Sequence, residues 1–168
     1  MNADQAYTFH QTPKDLAKDL MPFVPLVPGD RIAEPFRGEG AFFDAFPENC
    51  EKQWAEIRQG RDYRDLSGEI DWVITNPPFR LEGATGRVNA FWTLLDYYTQ
   101  RVKKGVAFLA NDACFCTLTP KRMKILADRG FFITKIVVCS VKKWRGRYFF
   151  FLLEKRAGGA VSFLPTNY

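Results

Sequence analysis

A chain of 168 residues is long enough to bury one hydrophobic core but too short for two domains of ordinary size. Hydrophobic residues make up 46% of it and charged residues 26%, a balance that excludes a disordered tail. The net charge of +5 is compatible with a polyanionic partner, but equally with a basic surface that is merely solvated.

The first half of the chain predicts a short helix followed by strands that alternate with helices. Thr12 and Pro13 have the residue types of an N-cap and a first helical position, and apolar residues then recur at helical spacing. The next predicted elements are a strand over 31–35, a glycine-containing turn and helix over 36–46, and strands over 53–57 and 72–75. Such alternation favours a parallel sheet.

The second half predicts two more helices and three more strands. These are a helix over 89–101, a strand over 106–110, a helix that begins at Thr119-Pro120 and ends at Gly130, and strands over 134–141 and 148–154. Because the turn between the last two strands is short, they should pair as an antiparallel hairpin. The predicted fold is therefore α/β, with a mostly parallel sheet, an antiparallel C-terminal hairpin and helices on both faces.

Neither a long apolar segment nor a long linker is apparent in the sequence. We therefore expect a single domain over residues 1–168, cytoplasmic and without a membrane anchor. Four cysteines and one histidine lack the spacing of a zinc site, which predicts reduced thiols, mostly in the core, and no bound metal.

The first candidate site is the glycine turn, which we define as residues 34–40, Glu-Pro-Phe-Arg-Gly-Glu-Gly. It follows a predicted strand and precedes a helix, where glycine lets a cofactor approach the backbone and helix N–H groups face it. Glycines also occur in such turns for purely steric reasons. An acid at the end of the second strand commonly binds the ribose of an adenosine cofactor; Glu56 has that position, with Glu51 as the alternative.

The strongest signal is the proline corner, which we define as residues 76–79, Asn-Pro-Pro-Phe, at the end of an apolar strand. Each proline favours extended backbone in the preceding residue, so Asn76 and Pro77 are held stiffly. An exocyclic aromatic amine is a poor nucleophile, and the Asn76 amide and Pro77 carbonyl can accept its hydrogens while Phe79 stacks on the ring. The simpler interpretation is that the prolines end a strand and Phe79 belongs to the core.

Together these two motifs resemble those of the adenine-N6 amino-methyltransferases, which have a Rossmann-like fold. The family motif (D/N/S)-P-P-(Y/F/W), which implies the catalytic residues, is matched in full by Asn76, Pro77, Pro78 and Phe79. The family's first motif, an acid followed by P-(F/C)-x-G-x-G, is matched by Glu34, Pro35, Phe36, Gly38 and Gly40. The resemblance covers about residues 8–155 and implies S-adenosyl-L-methionine as the cofactor, with Asn76 among its contacts.

The resemblance also implies cofactor contacts outside these motifs. It assigns Glu56 to the ribose, and it assigns the acid–aromatic pair Asp62 and Tyr63 to the cofactor's adenine. Thr12 and Pro13 resemble a Thr-Pro segment that, in some members, closes over the methionine part of the cofactor.

Two basic segments, residues 80–89 and the hairpin turn 142–148, flank the expected pocket. Lysine and arginine suit phosphate contacts, and an aromatic face suits a splayed base. The candidate nucleic-acid-binding residues are Arg80, Arg87, Lys142, Lys143, Trp144, Arg145 and Arg147. A charged hairpin tip that discourages edge pairing is an equally good explanation of the turn.

These features predict an enzyme that methylates the exocyclic amino group of adenine in nucleic acid, with DNA favoured over RNA. No segment is long enough for the separate target-recognition domain that DNA members often carry, so sequence selectivity stays open. Single-stranded or loop adenine avoids the cost of base flipping and is the expected target form. A protein glutamine methyltransferase and a noncatalytic nucleic-acid-binding subunit are the alternatives, and the oligomeric state is not predicted.

Overall fold

The computed structural model describes residues 11–83, 86–142, 144 and 146–159. Its strands are β1 (Arg31–Glu34), β2 (Glu51–Trp54), β3 (Ile70–Thr75), β4 (Arg80–Gly83), β5 (Gly86–Asn89), β6 (Val102–Asn111), β7 (Phe131–Cys139) and β8 (Tyr148–Lys155). Its α-helices are α1 (Lys14–Leu20), α2 (Ala41–Ala45), α3 (Ala90–Tyr98) and α4 (Pro120–Asp128).

Six of the strands form one sheet in the order β2-β1-β3-β6-β8-β7. Strands β2, β1, β3 and β6 run parallel, whereas β8 is antiparallel to both β6 and β7. The predicted α/β fold, with a mostly parallel sheet and an antiparallel C-terminal hairpin, is confirmed. The strand order at this end was not predicted: β8 lies between its hairpin partner β7 and the parallel strands.

Side chains alternate along each strand, so the sheet buries an apolar surface on both faces. On one face Ile32 and Trp72 pack with residues of α1 and α2, such as Phe42. On the other face Val73 packs with residues of α3 and α4, such as Leu94. Burying each such large side chain contributes about 1.5–3 kcal/mol, so both helical layers are held to the sheet mainly by this apolar contact.

Several predicted boundaries in the first half were wrong, among them the start of β3, which is Ile70 instead of residue 72. Helix α1 begins at Lys14 with Pro13 as its N-cap residue, and no side chain caps it, so Thr12 is not the cap. Strand β2 spans Glu51–Trp54 instead of 53–57. After the strand, the Ala55 carbonyl accepts the Arg37 N–H at 3.0 Å, so this part of the chain is bonded to the glycine turn.

The second half follows the prediction more closely. Thr119 is the N-cap of α4 and accepts the Arg122 N–H at 3.4 Å, and Pro120 is the first helical residue, as predicted. Helix α3 is shorter than predicted, since Asn89 is its N-cap and Tyr98 its last residue. Strands β6 and β7 begin earlier than predicted, at Val102 and Phe131, because their first residues pair with neighbouring strands, whereas β8 begins at Tyr148 as predicted.

A small antiparallel hairpin of β4 and β5 was not predicted. Its register pairs Arg80 with Asn89, so it begins directly after the proline corner and leads into α3. The segment that the sequence suggested as a flank of the pocket is therefore a two-stranded arm attached to that corner.

The four cysteines are free thiols, of which Cys50, Cys114 and Cys139 are buried and Cys116 is exposed. The prediction of thiols mostly in the core is confirmed. Within the described ranges, none of the helices has the length and apolar character required to cross a bilayer.

Charged residues at the amino ends of the parallel strands, which we call the amino edge, are paired. Asp30, 3% exposed, forms an ion pair with Lys104. Arg31 bonds to Asp71 at 3.2 Å and also to Glu69, and Glu69 pairs with Lys103 as well. These contacts connect the starts of β1, β3 and β6.

Candidate active site

The glycine turn and the proline corner leave adjacent strands at the same side of the sheet. Strands β1 and β3 are parallel neighbours, with Ala33 opposite Val73. Neighbouring strands lie about 4.8 Å apart, and continuing this register sets Glu34 level with Ile74, two residues before Asn76. Both motifs follow the last residues of their strands, at the side of the sheet that we call the carboxyl edge.

The glycine turn is held by a hydrogen bond to a side chain that follows β2 and by a backbone hydrogen bond within the turn. Gly38 and Gly40 have φ angles of +53° and +86°, which disfavour any residue with a Cβ. The Gly38 N–H donates to Glu56 Oε2 at 2.7 Å, and the Gly40 N–H donates to the Arg37 carbonyl at 2.8 Å. The backbone conformation of the turn therefore requires glycine at both positions, and two hydrogen bonds hold this conformation.

Glu34 begins the turn as a buried acid. The side chain is 2% exposed, and Oε2 has no hydrogen-bond partner among the described residues. Burial raises the pKa of Glu34 to about 9, although the backbone of Phe43 and the charge of Arg37 act in the opposite direction. The carboxyl group is therefore protonated at neutral pH, and a cation placed against it would favour ionisation.

Arg37, in the same turn, lies over two aromatic rings. The guanidinium carbon is 4.9 Å from the centroid of Trp54 and 5.2 Å from that of Phe43. Its Nε is buried and, within the described part of the chain, has no hydrogen-bond partner. The turn thus contains an acid and a base, each with one buried polar atom that no described group satisfies.

Glu56 lies just after β2 and is 5% exposed. Its Oε2 accepts the Gly38 N–H, and Oε1 accepts the Arg58 N–H at 3.2 Å. The alternative residue Glu51 is the first residue of β2, at the opposite end of the strand, and is excluded from this site. Glu56 fixes the shape of the glycine turn, and a ribose contact by its remaining lone pairs stays a prediction.

Asp62 and Tyr63 lie beside the glycine turn. The Tyr63 ring centroid is 5.5 Å from that of Phe36, and the Tyr98 hydroxyl donates to the Tyr63 carbonyl at 3.3 Å. Hydrogen bonds from Arg64 hold both oxygens of Asp62 and lower the pKa of that carboxyl group. The structure therefore brings the predicted acid–aromatic pair to the first motif.

The proline corner is partly open to solvent. Asn76 and Pro78 are half-buried and Pro77 is buried, whereas the Phe79 side chain is 39% exposed. The interpretation that Phe79 belongs to the core is therefore wrong. The Ala90 N–H donates to the Phe79 carbonyl at 3.2 Å, which anchors the end of the corner to α3.

The segment that precedes α1 bridges the two motifs. The Asn76 amide donates from Nδ2 to Thr12 Oγ1 at 3.2 Å. A Cβ placed at Gly38 would lie 3.2 Å from Gln11 Oε1, so the neighbouring side chain reaches the glycine turn. Consecutive residues contact both motifs, and Pro13 follows at the exposed start of the helix.

The basic segments are only partly described. Arg80, Lys142 and Arg147 are exposed, while Trp144 is half-buried with its ring 4.4 Å from that of Tyr148. That ring packs against the core on the α1 and α2 side, which supports a structural role for Trp144. Outside the described part of the chain lie Lys143, Arg145 and the Arg87 side chain.

The sequence did not indicate four residues that the structure places near the carboxyl edge. Gln11 contacts the glycine turn, and Thr75 is fully buried with no described partner for Oγ1. Ile57, directly after Glu56, is 65% exposed, and Phe115, after β6, is 42% exposed. The sequence predicts Ile57 within a strand, and its exposure follows from the end of β2 at Trp54.

Several solved structures share this architecture. A proposed class I S-adenosylmethionine-dependent methyltransferase from Listeria monocytogenes is 16% identical, with a TM-score of 0.64, over 92% of this chain and 62% of its own length. A proposed RNA methyltransferase from Pyrococcus horikoshii is 16% identical, with a TM-score of 0.56, over 87% of each chain. The magnesium protoporphyrin IX methyltransferase of Synechocystis, crystallised with bound SAM, is 12% identical, with a TM-score of 0.57, over 84% of this chain and 77% of its own.

No family model and no curated protein matches the sequence. At these identities the likeness concerns the fold, and the TM-scores above 0.5 agree with the observed sheet order and helical layers. The chain has a Rossmann-like methyltransferase fold.

Proposed function

We propose that this protein transfers a methyl group from S-adenosyl-L-methionine to the exocyclic amino group of adenine in nucleic acid, with DNA as the favoured target. The observation that carries the proposal is the position of Asn76 at the carboxyl edge, one strand away from the glycine turn. Asn76 is linked to that turn through Thr12 and Gln11. This arrangement supports the proposal, because a cofactor at the glycine turn and a substrate at the Asn76 amide would lie side by side.

The residues of the glycine turn fit the charged end of the proposed cofactor. Its amino acid part carries an ammonium and a carboxylate, and the turn offers the unsatisfied Glu34 Oε2 and Arg37 Nε. A charged donor or acceptor bonded to a charged partner forms the stronger class of hydrogen bond. Gly38 and Gly40 lack a Cβ, so a ligand that displaced the flexible ends of the Gln11 and Arg37 side chains could approach the backbone closely.

The adenosine end would meet aromatic and apolar side chains. Phe36 and Tyr63 stand together beside the turn, and Ile57 presents an exposed apolar side chain directly after Glu56. Apolar surfaces with a few convergent polar groups are typical of cofactor sites. The neighbour from Synechocystis with bound SAM supports the same assignment at the level of the fold.

The proline corner would provide the groups that hold the target amine and its base. When bound, the cofactor would supply an electrophilic methyl group on sulfur, and the target nitrogen, once methylated, would release a proton to water. The Asn76 amide and the Pro77 carbonyl would accept the two amine hydrogens and hold the nitrogen in line. Phe79, partly exposed, would stack on the base.

RNA is the second candidate target. The Pyrococcus horikoshii neighbour, which this chain matches over 87% of both lengths, is described as an RNA methyltransferase. A Phe79 ring at the surface reaches a base only outside a helical stack, so unpaired adenine is the expected form in either nucleic acid.

Labelled methyl transfer tests the proposal. The protein is incubated with methyl-labelled cofactor and matched single-stranded and duplex DNA, the corresponding RNA, and total protein. We expect label on N6 of adenine in DNA, with single strands preferred. Label in RNA alone would favour the second candidate, and label on protein glutamine would reject nucleic acid as the target. Cofactor binding without transfer to any pool would indicate a noncatalytic subunit.

Asn76→Ala separates catalysis from cofactor binding. We expect kcat to fall at least about 100-fold, because the amine loses an oriented acceptor, while the cofactor dissociation constant changes little. Asn49→Ala, at an exposed asparagine in the loop before β2, is the matched control and should keep full activity. An Asn76→Ala variant as active as the parent would reject the catalytic assignment.

Phe79→Ala tests base stacking. We expect the KM for the nucleic acid to rise roughly tenfold, the effect typical of one lost stacking ring. Phe23→Ala is the control, since Phe23 is 37% exposed, close to the 39% of Phe79, and lies against β7. Equal effects of the two substitutions would remove Phe79 from the target site.

The salt dependence of oligonucleotide binding tests whether Arg147 contacts the nucleic acid. Arg147→Ala should weaken binding of an oligonucleotide and reduce the slope of log K against log salt by about one, the change for one phosphate contact. Lys155→Ala, an exposed lysine at the end of β8 near the amino edge, should leave that slope unchanged. An unchanged slope for Arg147→Ala would leave that arginine outside the interface.

A further inference from the structure

Thr12 and Asn76 are 64 positions apart in sequence and joined by a hydrogen bond. Asn76 Nδ2 donates to Thr12 Oγ1 at 3.2 Å. Thr12 has the residue type of a helix cap, yet no side chain caps α1, so its hydroxyl group is directed to the proline corner instead. Thr12 therefore makes a tertiary contact at the carboxyl edge instead of capping a helix.

This contact holds the Asn76 amide in one orientation. A hydroxyl group can donate or accept, so it could bond to either end of a carboxamide; in the structure it bonds to the nitrogen. In the structure Thr12 accepts from the nitrogen, which directs Nδ2 toward α1 and Oδ1 away from Thr12. An amide turned the other way would present N–H groups to an incoming amine, which would oppose binding.

The support of Thr12 is stiff. The following Pro13 restricts the backbone of Thr12 to extended conformations, and Pro13 has φ and ψ angles of −59° and 137°. On the other side, Gln11 lies against the glycine turn. The hydroxyl group is thus held between the glycine turn and α1, with little freedom to follow a moving amide.

We infer that Thr12 is a positioning residue for the methyl transfer: its hydroxyl group holds the Asn76 amide so that Oδ1 faces the target amine. The inference rests on the proposed function and adds to it, because Thr12 then acts on the target side as well as on the cofactor side. A role confined to the cofactor would change cofactor affinity and leave turnover at saturating cofactor intact.

Kinetics of three variants test this role. Thr12→Val keeps the shape and removes the acceptor, and we expect kcat to fall about tenfold at saturating cofactor, the typical effect of one lost orienting hydrogen bond. Thr12→Ser keeps the hydroxyl group and should retain most of the parental kcat. Thr134→Val makes the same change on β7, where the Thr134 hydroxyl bonds to Glu154 Oε2 and lies 3.4 Å from the Leu152 carbonyl, and should leave kcat unchanged.

A spectroscopic measurement reports on the hydrogen bond itself. In nitrogen-labelled protein, the side-chain amide signals of Asn76 are assigned by their absence from Asn76→Ala. We expect Thr12→Val to shift them toward the values of solvent-exposed asparagine and to accelerate their hydrogen exchange. Thr12→Ser should leave both properties near those of the parent.

The outcomes separate this inference from the proposed function. A parent that transfers methyl groups, with Thr12→Val as active as the parent, overturns the inference alone. Weaker cofactor binding with unchanged kcat also overturns it, since Thr12 is then only a cofactor contact. A parent without any transferase activity rejects the proposed function, and unchanged Asn76 amide signals in Thr12→Val would then reject the positioning contact as well.

Discussion

The buried acids at the two edges of the sheet differ in whether they have a partner. At the amino edge, the buried Asp30 is paired with Lys104, and Asp71 is paired with Arg31. At the carboxyl edge, Glu34 is 2% exposed and its Oε2 has no partner in the described residues. Both edges belong to the same strands, so the fold itself does not require an unsatisfied acid.

The pKa values express this difference. Hydrogen bonds to Arg31 keep the pKa of Asp71 below its ordinary value despite burial, whereas burial raises the pKa of Glu34 to about 9. A lowered pKa of an acid stabilises the folded state, and a raised one destabilises it at neutral pH. Acids with a raised pKa are typical of functional sites, and the raised pKa of Glu34 therefore supports assigning ligand binding to the carboxyl edge.

The largest expected effect is a pH dependence of stability caused by Glu34. The unfolded chain releases this proton above the ordinary pKa of 4.5, but the folded chain keeps it until about pH 9. The free energy of unfolding should therefore fall as pH rises through this window, by up to about 1.4 kcal/mol per pH unit. Urea unfolding at several pH values measures the slope.

Glu34→Gln is the control for that slope. Glutamine is neutral at every pH, so the variant should lose the contribution of Glu34 to the pH dependence and be more stable than the parent at high pH. Identical slopes for the parent and the variant would show that Glu34 ionises normally and would weaken the contrast between the edges.

Asp30→Asn tests the amino edge. The buried carboxylate of Asp30 accepts from Lys104 and, at 3.0 Å, from the Val27 N–H. Removing its charge should lower the free energy of unfolding by about 1–3 kcal/mol, without changing cofactor affinity. Chemical unfolding and a cofactor titration measure the two effects, and a loss of cofactor affinity would contradict the separation of the edges.

Gly40→Ala and Gly29→Ala compare two glycines with nearly equal backbone conformations. Gly40 has φ +86° and a Cβ there would lie 3.1 Å from Arg37 Nη2, whereas Gly29 has φ +85° and open space around it. Each substitution should cost about 1–2 kcal/mol of stability through backbone strain. Only Gly40→Ala should also weaken cofactor binding, as measured by calorimetric titration; equal cofactor affinities would contradict the role of the turn.

Glu69→Gln has the smallest expected effect. Glu69 is exposed, and hydrogen bonds from Lys103 and Arg31 lower its pKa to about 2. Its stabilising contribution is present above the ordinary pKa of 4.5 and is lost as pH falls toward about 2. Because surface ion pairs contribute little, thermal unfolding at neutral pH should hardly change. A large loss would show that the amino edge depends on its outermost charge.

The sequence was sufficient to predict motifs that depend on local chemistry. The glycine turn, the proline corner and the Thr119 cap are determined by residues close together in the chain, and the structure has each of them where it was predicted. The α/β fold followed from the alternation of elements.

Contacts between distant segments could not be predicted in this way. The bond between Thr12 and Asn76, the burial of Trp144 on Tyr148 and the end of β2 at Trp54 all depend on how remote elements pack. For Thr12 the local pattern predicted a helix cap, which is wrong, because a threonine before a proline suits a tertiary contact as well as a cap.

The position of β8 has a consequence for how the chain is made. Gly105 of β6 pairs with Glu154, so the central strands stay unpaired on one side until the last strand has emerged from the ribosome. During that interval β6 exposes an edge that includes the apolar residues Phe108 and Leu109. Such edges invite aggregation, so efficient production of this protein should depend on low synthesis temperature or on chaperones.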